Sequence, residues 1–189
     1  MKLDEHIFFA PDILLKNLDI ENRESLINAF KIRVDKYYFQ PIKNLNKIRS
    51  AFSVGIIEFS LIDALARYST DFDENKKRKN VRRRNVEFMT QNLSVTYEVA
   101  GKIYEDFRNG LLHENHIKNC GQFCYETKMA FDLSNKALIV NPLMLQEVLE
   151  AFFKKYIMML RSDKKVYDIF IRNFRSDFKK EIAFFKKNT

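Results

Sequence analysis

Hydrophobic positions recur at three- and four-residue intervals over most of this chain, a spacing that predicts helices rather than strands. Residues 22–39 form the first such pattern, with Leu26, Ala29, Phe30, Val34, Tyr37 and Tyr38 on one side. Pro41 is expected to interrupt it, since proline removes a backbone donor and clashes with the preceding turn. A longer helical stretch then runs from about Pro41 to Tyr68. Its second half, FSVGIIEFSLIDALARY, is apolar nearly all round. A helix of that kind belongs at the centre of a bundle. The polar stretch 70–80, TDFDENKKRKN, reads as a loop. Residues 81–93 read as a helix with Val86, Met89 and Leu93 inward. Residues 95–113 read as another, with Val99, Ile103, Phe107 and Leu111 at four-residue steps.

The pattern changes after Cys120. QFCYETKMAF and KALIV are rich in aromatic and β-branched residues, and the DLSN between them has turn chemistry. A small β-hairpin over about 122–140 is expected. Asn141-Pro142 then opens a helix, because proline fits the first helical turn. Leu145, Val148, Leu149, Phe152, Tyr156 and Leu160 form its apolar face. A last helix, about 163–186, carries Val166, Phe170, Phe174 and Phe178 on one side, with Arg172, Arg175, Lys179, Lys180, Lys186 and Lys187 elsewhere around it. Residues 1–20 mix short apolar patches with Pro11 and read as a docking arm or a short helix. The expected fold is mainly α: one domain, a helical bundle with a small β-hairpin insert. Residues 1–44 would be an N-terminal helical arm, 45–161 the core and 162–189 a C-terminal helix.

Composition narrows this further. Four Gly and three Pro in 189 residues argue against a many-turned β protein. Eighteen Phe and eight Tyr supply the core volume, without any Trp. The net charge of +8 favours an anionic partner, with nucleic acid first. The N-terminus lacks the basic start and long apolar core of a signal peptide. No stretch reaches the roughly 18 apolar residues of a membrane span. Two Cys are too few for a disulfide framework, so a cytoplasmic protein without membrane attachment is expected.

Candidate chemistry is concentrated in Arg108-Asn109-Gly110-Leu111-Leu112-His113. On a regular helix Asn109 and His113 stack on one face. The amide would then hold one imidazole nitrogen and leave the other free for proton transfer. Imidazole serves as acid or base near neutrality. Arg108, five positions from His113, lies roughly 140° around such a helix. Its long side chain would reach a phosphate held beside the imidazole and stabilise charge growing in the transition state. Gly110 would allow a backbone or a substrate to approach closely. Asp63 and Glu58, on the largely apolar helix, need partners there, and Arg108 is a candidate for either.

IYEDFRNGLLHE resembles the signature of the HEPN superfamily (higher eukaryotes and prokaryotes nucleotide-binding), an Arg and a polar residue followed shortly by a His. Arg108, Asn109 and His113 match those three positions. The upstream IIEFSLIDALARYS resembles the family's central helix, and the hairpin followed by NPLMLQEVLEAFFKKYIMML continues the likeness over about residues 45–161. The resemblance implies a metal-independent endoribonuclease with no cofactor. The His would assist attack of a ribose 2′-hydroxyl on the adjacent phosphate, and the Arg would stabilise the phosphorane-like charge. Catalytic residues would be Arg108, Asn109 and His113, with Asp63 and Glu58 in support. The resemblance also implies a homodimer with a composite site, and a role in antiviral defence or in a toxin–antitoxin pair with an antitoxin or regulatory partner. A non-catalytic RNA-binding or protein-interaction module on the same fold is the alternative. One subfamily has a Tyr two positions after the His; this chain has Asn115 there.

Lys76, Lys77, Arg78, Lys79, Arg82, Arg83 and Arg84 place seven cations in nine residues. They are candidates to grip an RNA backbone; a solvated loop and a nuclear signal are the other readings. His113, His116, Cys120 and Cys124 form H-x2-H-x3-C-x3-C, chemically able to bind zinc. Zinc there would occupy His113 and compete with the ribonuclease reading.

Overall fold

In the computed structural model, residues 7–71, 81–133 and 137–187 are described. The chain enters as two short antiparallel strands, β1 (Phe8–Ala10) and β2 (Ile13–Leu14). Asp12 turns between them at φ 63°, a left-handed conformation that a short polar side chain tolerates. Phe9 is buried edge-on against Phe174 and Phe178, with ring centroids 5.5 and 5.6 Å apart. Residues 8–14 are thus a docked strand pair, followed by a single 3-10 turn at Leu15–Asn17, rather than part of a helical arm. The first α-helix begins at Arg23, and Phe8 and Phe9 alternate out and in as strand residues do.

Helix α1 (Arg23–Val34) is capped by Asn22, whose Oδ1 accepts from Ser25 N–H at 3.0 Å. It does not stop before Pro41. The backbone widens into a π-helical turn over Asp35–Phe39, where Gln40 N–H donates to Asp35 C=O, and continues as α2 (Gln40–Lys47). The wide turn accommodates a residue that would clash with a regular preceding turn and cannot donate to it. The interruption comes later, at Ile48–Ser50, with Arg49 at φ 53°.

Helix α3 (Ala51–Ser69) is the centre of the molecule. Val54, Phe59, Leu61, Ile62, Leu65 and Ala66 point several ways around it and are all buried. It packs against α2, α4 (Val81–Asn92), α6 (Pro142–Ser162), α7 (Lys164–Asp177) and the helix bearing RNGLLH. Each buried Phe, Leu or Ile contributes about 1.5–3 kcal/mol. Aromatic edges knit the layer beside α3: Phe30 meets Tyr68, Phe153 and Phe170 at 5.2, 5.9 and 5.0 Å.

Helix α5 (Tyr97–Lys102) is capped by Thr96 and runs without a break into π-helical turns over Ile103–Glu114. Three two-residue strands follow, β3 (Gln122–Phe123), β4 (Phe131–Asp132) and β5 (Ile139–Val140). β4 and β5 pair antiparallel, while β3 joins the other edge of β5 in parallel; the expected DLSN turn lies partly outside the described residues. Asn141 fastens this insert to α6. Its Oδ1 accepts from the N–H groups of Leu143 and Met144, and its Nδ2 donates to the carbonyls of Tyr125 and Thr127. The expected last helix is two, α7 and α8 (Lys179–Lys187), parted at Phe178, whose ring turns in toward Phe9 and Phe174. The fold is mainly α. No helix among the described residues is long and apolar enough to cross a membrane.

Candidate active site

The π-helical turns decide how RNGLLH is presented. Five residues make one hydrogen-bonded turn there: Asn115 N–H donates to Gly110 C=O. Residues five apart, roughly 140° apart on an α-helix, are therefore brought nearer to one face, while residues four apart still meet, as Asn109 does Glu105. Arg108 and His113 consequently meet. Nη1 of Arg108 stands 2.6 Å from Nε2 of His113. A guanidinium nitrogen only donates, so Nε2 is the acceptor and the neutral ring carries its proton on Nδ1.

The expected Asn109–His113 contact is replaced. Asn109 Oδ1 accepts from Arg108 Nη1 at 3.1 Å, and its Nδ2 donates to Glu105 Oε2 at 3.0 Å. The amide positions the arginine rather than the histidine, because both of its ends are taken by Arg108 and Glu105.

Asp63 on α3 anchors the arginine. Arg108 Nε donates to Asp63 Oδ2 at 2.9 Å, and Nη2 donates to the same oxygen. Both side chains are largely covered, 14% and 21% exposed. The other oxygen, Oδ1, is buried and makes no hydrogen bond among the described residues. The guanidinium also lies over the Tyr104 ring, 5.3 Å from its centroid. Burial raises the Tyr104 phenol above its usual range, with Arg108 opposing. His113 itself is exposed.

Glu58 is elsewhere. It is fully buried, neither oxygen has a hydrogen-bond partner among the described residues, and burial pushes its carboxyl well above the usual range. Five residues along regular α3 separate it from Asp63 by roughly 140°, so only one of the two can face Arg108. Gly110 is where two segments touch. A Cβ there would overlap the His116 carbonyl, and Gly110 C=O accepts from His116 N–H at 3.1 Å. Asn115 adopts the left-handed conformation at φ 58° that ends the helix, a position asparagine suits.

Three further side chains belong to this site. Glu105 links Asn109 to Arg82, whose Nε donates to Glu105 Oε1 at 2.7 Å. Tyr104 forms the ring face under Arg108. Arg84 turns inward. Burial and the neighbouring Arg67 lower its guanidinium, Asp63 opposes, and Arg108 adds to the lowering. Tyr104 and Glu105 each lie four positions before a motif residue, a spacing that could have marked them.

The remaining candidates divide. Lys76, Lys77, Arg78 and Lys79 lie outside the described residues. Arg83 pairs with Glu87 at 3.1 Å. The four residues of the zinc pattern are not gathered: His116 and Cys120 are exposed beside a loop with several positive φ angles. Among the described residues no group of three or more His, Cys, Asp or Glu is placed to hold a metal ion. Comparison with family models, curated proteins and solved structures found no match for this chain.

Proposed function

We propose that the chain is a metal-independent endoribonuclease of HEPN type, with Arg108 and His113 as catalytic residues and Asn109 and Asp63 as positioning residues. The observation carrying this reading is the Arg108–His113 contact of 2.6 Å, with the guanidinium braced from behind by Asp63. A cation and a titratable ring side by side are what in-line attack on a phosphodiester requires. π-helical turns are also frequent at functional sites.

On this reading a substrate phosphate oxygen replaces Nε2 as the acceptor of Arg108 Nη1–H. The freed nitrogen takes the proton of the ribose 2′-hydroxyl as that oxygen attacks phosphorus. The P–O5′ bond breaks, leaving a 2′,3′-cyclic phosphate, and the departing oxygen takes the proton from the His113 imidazolium to become a 5′-hydroxyl, which returns the ring to neutral. The family likeness adds a second copy of the chain across the cleft, an antitoxin or regulator, and cytoplasmic defence as further parts of the proposal.

The test is cleavage of single-stranded RNA in EDTA by wild type, Arg108→Ala and His113→Ala, each checked for folding by circular dichroism. Loss of about 10²- to 10⁴-fold is expected for His113→Ala. Uncut RNA with wild type, or full activity in both variants, overturns the reading. A second reading, a non-catalytic RNA-binding or protein-interaction module, is favoured by one fact: Arg108 donates from Nε, Nη1 and Nη2 to groups of its own protein. Salt-sensitive RNA binding without cleavage, unaltered by His113→Ala, would establish it.

A further inference from the structure

Beside the candidate active site, α5 and α4 border a groove of about 670 Å³, lined by Arg82, Tyr97, Glu98, Gly101, Lys102, Glu105, Asp106 and Asn119. That volume lies within the range of small-molecule sites. Gly101 leaves its wall open, since a Cβ there would come within 3.1 Å of the Arg82 guanidinium. Arg82 is held by Glu105, and Asp106 accepts from Asn119 Nδ2 at 2.6 Å. These residues are already engaged and form a fixed frame.

Three lining residues are different. Tyr97 (54% exposed), Glu98 and Lys102 make no hydrogen bond or ion pair among the described residues. They offer a ring face, a carboxylate and an ammonium around one opening. The groove is joined to the site by contacts already described: Arg82 to Glu105, Glu105 to Asn109, Asn109 to Arg108.

We propose that this groove is a nucleobase-binding site, with the base stacked on Tyr97, its edge read by Glu98 and a flanking phosphate met by Lys102. Every base has a π face for an aromatic ring, so stacking supplies affinity without choice. Choice comes from the carboxylate, which only accepts hydrogen bonds. Two acceptor oxygens match the adjacent N1–H and N2–H donors of guanine; uracil offers one ring N–H between two carbonyls that the carboxylate repels. Guanine is therefore the preferred occupant. Tyr97 and Arg108 are eleven residues apart, up to about 16 Å along the helix. The stacked base thus belongs to a nucleotide further along the strand than the one cleaved. That placement rests on the ribonuclease reading; nucleobase binding does not.

The experiment is titration of the full chain with guanosine 3′-monophosphate, uridine 3′-monophosphate and inorganic phosphate, followed by amide NMR shifts and calorimetry. Wild type should bind the guanosine nucleotide more tightly than the uridine one, with shifts centred on residues 97–102. Tyr97→Ala should weaken both nucleotides about tenfold, and Glu98→Gln should abolish the preference. Both residues are exposed, so the variants keep the fold. Equal binding of both nucleotides by wild type, or affinities unchanged in both variants, overturns the proposal. RNA cleavage in EDTA is scored separately. Guanosine nucleotide bound at Tyr97 with no RNA cut sinks the nuclease reading and leaves the groove standing. RNA cut with nucleotide affinities indifferent to Tyr97 and Glu98 sinks the groove alone.

Discussion

Arg108 directs Nε and Nη2 at one oxygen of Asp63, and the pair is mostly covered by protein. Removing the carboxylate leaves a guarded cation without its counter-charge, so Asp63→Ala should cost about 1–3 kcal/mol in urea unfolding. On the proposed function it also lowers RNA cleavage more than it lowers RNA affinity, because a loose guanidinium misplaces charge in the transition state. Glu58 makes a different prediction. Its folded-state carboxyl titrates well above the usual range because of burial. Stability tied to it is fully present below the unfolded carboxylate range and is lost as pH rises toward the folded value, since the unfolded chain ionises first. Glu58→Gln removes that titration. Its unfolding free energy should gain on wild type as pH rises above the unfolded carboxylate range, by about 1.4 kcal/mol for each pH unit of the raised window. A gap independent of pH would contradict the buried acid.

At the scale of elements, the wide helix over Ile103–Glu114 is the decisive device, because it brings Arg108 and His113, five positions apart, into contact. Its end depends on the close passage of Gly110 and His116. Gly110→Ala forces those backbones apart and should lower stability by about 1–3 kcal/mol, with His113 displaced from Arg108. Thermal melting and the His113 ring proton shifts would report the two effects. Asn141 is the second hinge of the architecture. Asn141→Ala loses a helix cap and two bonds to the β insert, an expected cost of about 1–2 kcal/mol or more. For a chain of this size that is a fall of about 2–8 °C in Tm. Part of this was legible in the residues. Asn141-Pro142 announced a helix start, and the four-residue steps of Val99, Ile103, Phe107 and Leu111 announced a helix. Those same steps drift about 40° each on a regular α-helix. They were the one sign of a wider turn, and spacing alone does not distinguish drift around a core from a change of helix type.

At the scale of the whole molecule, the net charge of +8 bears on association more than on fold. If RNA is the partner, log affinity should fall linearly with log salt, and Arg83→Gln should reduce that slope by about 0.7. Filter binding across a salt series measures it, and an unchanged slope would remove Arg83 from the RNA contacts. Hydrophobic periodicity by itself determined most of the helical segments and the centrality of α3, and residue type the antiparallel pairing of β4 with β5, because burial of apolar faces is written locally at fixed intervals. It also placed Arg108, Asn109 and His113 together on one short segment. Tertiary structure decided the rest. Phe9 finds Phe174 and Phe178 across the chain, which turns the N-terminal arm into strands. The helix runs through Pro41 on a π-helical turn. Asp63 rather than Glu58 meets Arg108, since only one side of α3 faces that helix. Asn109 is assigned to Arg108, and His113 is brought to the arginine. Each outcome depends on which surfaces meet across sequence separations of tens of residues, and on a helical pitch set by that packing. Neither is a property of a local spacing.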